Sequence, residues 1–144
     1  MKKVLRRILI IGLSVLGLLL VLFLCGFGRK VLSVNQVEKI HLTAMGQSGE
    51  TTVELEPEDV RKFVNRYNLS RYVGLVDAEH CDHTFFVRME LKDGSSINIL
   101  DHEGQRMKVS CEKQESFWVD NVFLLHTVRT LAKEYGLTLE NLGC

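Results

Sequence analysis

Three strand-like segments between Thr84 and Cys111 constrain the fold of this chain more than any other feature of its sequence. Apolar and polar residues alternate along each of them, which is the period of a β-strand with one face in a core. The loops that join them, Lys92-Asp93-Gly94 and His102-Glu103-Gly104, each have three residues and end in glycine. Such loops form a type I turn followed by a left-handed residue, a common hairpin connection. The pattern therefore predicts an antiparallel meander.

The loop length decides which residues of the meander face each other. A three-residue loop pairs Met89 with Ile97, whereas a two-residue loop would set Met89 against Asn98 and divide the core. By the same argument the second loop pairs Asp101 with Gln105. This register places on one face all the apolar residues that are expected to point inwards: Phe85, Val87, Met89, Leu91, Ile97, Ile99, Met107, Val109 and Cys111.

Two more strands and a helix precede the meander. Lys39–Ala44 and Thr51–Leu55 alternate like strands on either side of a glycine-rich turn. Pro57 and the acidic residues beside it suit the first turn of a helix, where proline is tolerated and negative charge is favoured. Apolar residues then recur at helical spacing, so the helix is expected to end near Asn68.

A last helix closes the domain, with Asp120 as its expected N-cap and Gly136 at its end. Arg71–Val73 and Ser116–Val119 are each compatible with one more short strand. Without these two segments the element order is ββα-βββ-α. That order predicts an α+β fold, in which an antiparallel sheet has one solvated face and two helices packed on the other.

An uncharged run of 21 residues, Ile8 to Gly28, lies between Arg7 and Arg29. A helix needs about 20 apolar residues to cross a bilayer, so the run predicts an N-terminal transmembrane helix over 8–28 with the lipid bilayer as its partner. The basic tail 1–7 favours a cytoplasmic N-terminus and an extracytoplasmic C-terminal domain. The expected localisation is the cell membrane, crossed once.

Cleavage and lipidation are the alternatives for this segment. Gly26-Phe27-Gly28 has the small-x-small pattern of a signal-peptide cleavage site, but the apolar run exceeds the roughly 7–15 residues of such peptides. Cys25 is where a lipoprotein signal would be modified, but Leu24 stands where a small residue is expected. An uncleaved helix is the preferred interpretation. The remaining chain is then divided into a junction, an α+β domain and a tail, at 29–38, 39–136 and 137–144.

The charges of the chain are divided unevenly. It has 18 basic and 18 acidic residues, and six of the basic ones flank the apolar run: Lys2, Lys3, Arg6, Arg7, Arg29 and Lys30. Residues 31–144 therefore carry 12 basic side chains against all 18 acidic ones, a net charge near −6. Nucleic acid requires a basic face on its partner, so this composition argues against nucleic-acid binding.

Taken in order, these elements resemble uncharacterised small membrane-anchored or lipoprotein-type α+β domains of Gram-positive bacteria. The resemblance rests on the N-terminal apolar segment, on the helix opened by Glu56-Pro57-Glu58-Asp59-Val60, on the hairpin Leu91–Ile99 and on the Phe117–Asn121 segment before the closing helix. It covers about residues 36–135. Such domains carry no assigned activity, so the resemblance implies a fold and a membrane location and no reaction.

One cluster of residues has the chemistry of metal ligands. The segment 77–83 contains His80, Cys81 and His83, and the hairpin geometry is expected to bring His102 towards His83. Imidazole and thiolate groups suit zinc, but the spacing matches no zinc finger. The segment is therefore interpreted as a solvated polar loop with no cofactor, and a zinc site is the alternative.

Phe86 and Leu100 are the candidate partner surface. They are expected to be cross-strand neighbours on the outward face of the sheet, where Tyr72 is expected to join them. A small apolar area on a polar face is typical of a protein-binding site and also of ordinary exposed side chains.

The sequence contains no catalytic motif such as G-x-S-x-G or H-E-x-x-H. It therefore favours a non-catalytic, membrane-anchored binding or envelope-accessory module whose protein partner is unknown. The alternative is a metal-binding or thiol-dependent ectodomain that uses the loop between His80 and His83.

Overall fold

A computed structural model describes residues 2–24, 31–46, 49–76, 84–102, 106–112 and 114–138. The chain divides into two compact units, Met1–Lys30 and Val31–Cys144. The first unit contains one helix, α1 (Lys2–Leu24). The second unit, called the domain below, contains a seven-stranded antiparallel sheet and two further α-helices.

The structure contradicts the transmembrane helix predicted over 8–28. The uncharged residues of α1 run from Ile8 to Leu24. At about 1.5 Å of rise per residue they extend about 25 Å, against roughly 30 Å of hydrocarbon. Residues 25–28 lie outside the described part of the chain, and within that part no helix is long and apolar enough to cross a membrane. The finding also contradicts the single-pass topology and the cell-membrane localisation, because both depend on that span.

The sheet of the domain has the order β2-β1-β4-β5-β6-β7-β3, and every neighbouring pair is antiparallel. A short 3-10 helix at Val34–Gln36 precedes it. The elements follow one another along the chain as β1 (Val37–Gly46), β2 (Gly49–Glu54), α2 (Pro57–Tyr67), β3 (Arg71–Leu75), β4 (Phe85–Leu91), β5 (Ser96–Asp101), β6 (Arg106–Cys111), β7 (Gln114–Asp120) and α3 (Val122–Glu134).

Two strands of this sheet, β3 and β7, are missing from the predicted order ββα-βββ-α. They pair with each other and extend the sheet beyond β6. Their sequences predict these strands only weakly, because apolar and polar residues do not alternate regularly in either of them. Phe117, Trp118 and Val119 are three apolar residues in succession, and the pairing of β3 with β7 is interrupted by a bulge between Tyr72 and Gly74.

The first hairpin of the meander confirms the predicted register. Met89 pairs with Ile97, and the backbone N–H of Leu91 donates to the carbonyl of Ser95 over 2.9 Å. Gly94 has a φ of +82°, which is the left-handed conformation that the last residue of this loop requires. The length and the glycine of this loop therefore set the pairing of β4 with β5.

The second hairpin differs from the prediction by two residues. Asp101 pairs with Met107 rather than with Gln105, and the N–H of His102 donates to the carbonyl of Arg106 over 3.0 Å. Residues 103–105 lie outside the described part of the chain. Because side chains alternate with a period of two, a shift of two residues leaves every side chain on its predicted face.

One hydrophobic core lies between the helices and one face of the sheet. The meander contributes six side chains that are 0 % exposed: Phe85, Val87, Met89, Ile99, Met107 and Val109. The helices contribute their apolar stripes: Val60, Phe63, Val64 and Tyr67 from α2, and Leu124, Leu125, Val128, Leu131 and Ala132 from α3. Every residue of this core lies between Leu32 and Leu137, so the domain has a core of its own.

Asn121 joins three elements at one end of this core. It takes the N-cap position of α3 that was expected for Asp120, because its Oδ1 accepts the N–H of Leu124 over 2.9 Å. Its Nδ2 donates to the carbonyl of Arg66 over 2.7 Å and to Oγ of Ser70 over 2.9 Å. Asn121 is 5 % exposed. One side chain therefore holds the end of α2, the start of β3 and the start of α3 together.

The substitution Asn121→Ala is expected to lower the free energy of unfolding by about 2–4 kcal/mol. Loss of an N-cap costs about 1 kcal/mol, and buried polar groups left without their partner cost about 1–3 kcal/mol. Urea unfolding followed by circular dichroism measures the change. Asn65→Ala, at an exposed position of α2, is the control and is expected to stay within about 0.5 kcal/mol. Equal stabilities of the two variants would contradict the joining role of Asn121.

Tyr135 makes the corresponding connection at the other end of the helices. Its Oη donates to Oδ2 of Asp59 over 2.9 Å and accepts the N–H of Glu56 over 2.8 Å. Burial raises the pKa of the Tyr135 phenol, the nearby charge of Asp59 raises it further, and the N–H of Glu56 opposes the rise. The neutral phenol is therefore the form that the folded domain favours.

This raised pKa predicts a loss of stability in alkali. A phenol that holds its proton more tightly in the folded state stabilises the domain fully below its unfolded pKa of about 10, and this contribution is lost as the pH rises through the folded value. The free energies of unfolding of the wild type and of Tyr135→Phe, measured with urea, should therefore differ at pH 7 and converge above about pH 10. Parallel pH profiles for the two proteins would contradict the assignment.

Candidate interaction surface on the open face of the sheet

The face of the sheet that points away from the core carries no helix or strand of the domain within the described residues. Both α2 and α3 contribute to the core on the opposite face. Alternation along the strands directs the residues between the core positions to this open face. In the described residues, side chains on this face are flanked by their neighbours in the sheet and, at one end, by His102, so the domain presents a broad surface here.

Four side chains form a line across the open face. Cross-strand pairing sets Phe86 beside Leu100, Leu100 beside Lys108 and Lys108 beside Trp118. Directly opposed residues have Cβ atoms about 4.5–5.5 Å apart, which is contact distance for side chains of this size. All four are half-buried. We call them the open-face row: Phe86, Leu100, Lys108 and Trp118.

Trp118 is the largest member of this row and the one tryptophan of the chain. The imidazole of His102 lies against its indole, with ring centroids 4.6 Å apart and an angle of 31° between the planes. Offset packing of this kind is favourable for aromatic rings. The pair forms a flat end of the row. It consists of Trp118 of β7 and of His102, the residue that follows β5.

Polar and charged groups flank the row. Oγ of Ser110 and Oγ of Ser116 share a hydrogen bond of 2.9 Å, Nε of Arg88 lies 3.4 Å from a carboxylate oxygen of Glu90, and Arg106 pairs with Asp120 at 3.8 Å. The surface thus has an apolar and aromatic centre with a polar border of both charge signs. Protein-binding surfaces have this anatomy.

The structure brings together the two residues that the sequence proposed as a partner surface. Phe86 and Leu100 are directly paired across β4 and β5. Tyr72 does not join them: it pairs with the buried Val119, and its ring packs against Phe117 with centroids 6.0 Å apart. Tyr72 therefore belongs to the other face, on a strand at the far edge of the sheet.

Trp118 and His102 are members of this surface that the partner-surface prediction missed. From the sequence it was not possible to decide which of the three successive apolar residues Phe117, Trp118 and Val119 points outwards, because no register was predicted for this strand. Pairing with β6 decides it, since Phe117 and Val119 lie opposite the core residues Val109 and Met107.

Three of the candidate metal ligands, His80, Cys81 and His83, lie outside the described residues. His102 is described, and its ring packs on Trp118. In the described ranges no group of three His, Cys, Asp or Glu side chains is placed to hold a metal ion. The carboxylate of Asp101, next to His102, instead accepts the backbone N–H groups of Thr84 and Phe85 over 2.8 and 3.1 Å and so fixes the start of β4.

Comparison of the chain with protein-family models, curated proteins and solved structures gave no match. The resemblance to small domains of Gram-positive bacteria therefore stays a prediction. The function therefore has to be inferred from the residues of the domain itself. Among the described residues, the open-face row has the composition of a binding surface.

The position of Trp118 predicts its response to a soluble quencher. A half-buried indole on an open face should be quenched by acrylamide at a rate between that of a core tryptophan and that of free tryptophan. Removing the neighbouring ring in His102→Ala should increase the rate, because it exposes one side of the indole. Fluorescence titration measures both rates, with Thr130→Ala on α3 as the control. Quenching as slow as for a core tryptophan would show that something covers this face.

Proposed function

We propose that the domain is a non-catalytic binding module that recognises a protein partner through the open-face row. The observation that supports this is the alignment of Phe86, Leu100 and Trp118 across the middle of a face that no element of the domain covers in the described residues. An apolar area at the centre of a polar face gains free energy when a partner removes it from water, at about 25 cal/mol for each Å².

The charges around the row favour a protein as the partner. Arg88 and Arg106 lie on this face beside acidic side chains, Glu90 and Asp120, so the border is mixed rather than basic. A nucleic-acid surface would need an excess of cations to replace the counterions of the phosphates. A protein surface with its own mixed rim and an apolar centre is complementary to this arrangement.

The choice between binding and catalysis rests on the sequence, which contains no catalytic motif. The alternative of a metal-binding or thiol-dependent domain depends on His80, Cys81 and His83. These residues lie outside the described ranges, so that alternative stays a prediction, and no contact in the described residues favours it.

Site-specific photo-crosslinking tests the proposal. The full chain is produced with a photoreactive phenylalanine analogue in place of Phe86, and irradiation of the intact cells that make it should join it to one defined protein. The same analogue at Thr130, an exposed position of α3, is the matched control and should not crosslink to that protein. The purified partner should then change the emission of Trp118 on titration, since this residue lies in the contact.

Two variants measure the contribution of the row. Trp118→Thr and Leu100→Thr keep residues that favour β-strands and should each weaken binding of the purified partner at least about tenfold, as expected for central aromatic and apolar contacts. Thr51→Ala, at an exposed position of β2 that pairs with the core residue Ala44, should bind as the wild type does. Binding that survives both substitutions, or crosslinking from Thr130 and not from Phe86, would overturn the proposal.

A further inference from the structure

The large apolar side chains that the domain exposes are concentrated at one end. Apart from Val31 at the start of the domain, those in the described residues are between 37 % and 61 % exposed and belong to two short stretches of chain. We call them the edge patch: Leu69, Tyr72, Val73, Leu75, Val122 and Phe123.

The two stretches of the edge patch adjoin each other. Arg71 at the start of β3 pairs with Asp120 at the end of β7, and the hydrogen bond from Asn121 to Ser70 links the same two points. The guanidinium of Arg66 lies over the ring of Phe123, 5.8 Å from its centroid. The start of β3 and the start of α3 therefore lie side by side, and the edge patch extends from this point along both elements.

β3 is an edge strand, and its sequence is unusual for that position. It pairs with β7 on one side and ends the sheet on the other. Edge strands are generally protected by charged side chains, because their unpaired N–H and C=O groups can pair with another strand. The opposite edge, β2, has such protection in Glu50 and Glu54. In β3 the charge is confined to its first residue, Arg71, and Tyr72-Val73-Gly74-Leu75 follows, with a bulge between Tyr72 and Gly74.

We infer that two copies of the domain associate through β3, with their edge strands antiparallel about a two-fold axis, so that the two sheets become continuous. A two-fold contact uses the same surface on both copies and therefore buries both edge patches at once. Backbone hydrogen bonds between the two β3 strands supply the pairing, and the exposed apolar side chains on either side of the strand supply the burial.

The charge of this edge is compatible with the arrangement. Arg71 is the one charged residue of β3 and stands at its start. Because the two paired strands run in opposite directions, the two Arg71 side chains lie towards opposite ends of the contact.

Pairing of β3 with a second β3 suits the edge patch better than pairing of β3 with β2 of the next molecule. The second arrangement would put the polar residues of β2 against apolar ones, and it would leave a free β2 edge at one end and a free β3 edge at the other. Such a head-to-tail contact continues into a filament, whereas the two-fold contact closes after two copies. Because β3 has five residues, the pairing is short, and the expected dissociation constant is in the micromolar range.

The oligomeric state of the fragment 31–144 tests the inference, since the core of this fragment is complete in itself. Analytical ultracentrifugation is carried out from about 1 to 500 µM, to span a micromolar dissociation constant, with a thiol reductant present so that cysteine crosslinks do not contribute. The expected result is a monomer–dimer equilibrium. Amide hydrogen exchange in 71–75 should slow as the concentration rises, because pairing protects these groups. A monomer at every concentration, or open-ended growth, would overturn the inference.

Charged substitutions locate the contact. Leu75→Lys and Val73→Lys place an ammonium group at an exposed position of the edge strand and should each raise the dissociation constant at least about tenfold. Thr51→Lys, at an exposed position of β2, is the matched control and should leave the dimer unchanged. Circular dichroism checks that each variant is folded. If Leu75→Lys does not fold, Val73→Lys alone tests whether β3 forms the contact. A dimer that survives both β3 substitutions, or that Thr51→Lys weakens equally, would contradict pairing through β3. Leu100→Thr should leave the dimer intact, because Leu100 lies on β5, which β6 and β7 separate from β3.

Discussion

The pairing of β4 with β5 in one register decides on which side of the sheet each central residue of the domain lies. Val87 and Met89 reach the core, and Phe86 reaches the open face, because a loop of fixed length sets the two strands against each other. A slip of one position would exchange these faces and send polar side chains under the helices. The core and the candidate surface are thus two results of the same constraint, and neither would survive a slip of one position.

Polar side chains at the opposite ends of α2 and α3 determine how these two helices pack against each other. Asn121 joins the end of α2 to the start of α3, and Tyr135 joins the end of α3 to the start of α2. Hydrophobic burial alone allows packed helices to slide, since it is not directional. Hydrogen bonds from a buried amide and from a phenol are directional, so they select one arrangement of the pair on the sheet.

The sequence was informative wherever a local pattern has one structural solution. The Lys92–Gly94 loop gave the first hairpin, and proline with its acidic neighbours gave the start of α2. It was less informative where two solutions share a pattern. Asp120 and Asn121 are both good N-caps, and the hydrogen bonds of Asn121 with Leu124, Arg66 and Ser70 separate them.

The predicted transmembrane span is also wrong. The prediction counted the 21 uncharged residues from Ile8 to Gly28, and among the described residues no helix is long and apolar enough to cross a membrane. The candidate surface was found in part: Phe86 and Leu100 followed from hairpin geometry. Trp118 and His102 come together through strand pairs distant in sequence, including a strand whose consecutive apolar residues concealed its period.

The second hairpin pairs two residues away from its predicted register and yet keeps every side chain on its expected face. The loop between β5 and β6 therefore obeys a parity rule. Changes of its length that move the pairing by an even number of positions preserve the architecture of the domain, and odd ones turn β6 inside out. An affinity tag or a foreign epitope inserted after His102 should therefore leave the core intact as long as β6 keeps its phase against β5, whatever the number of residues added.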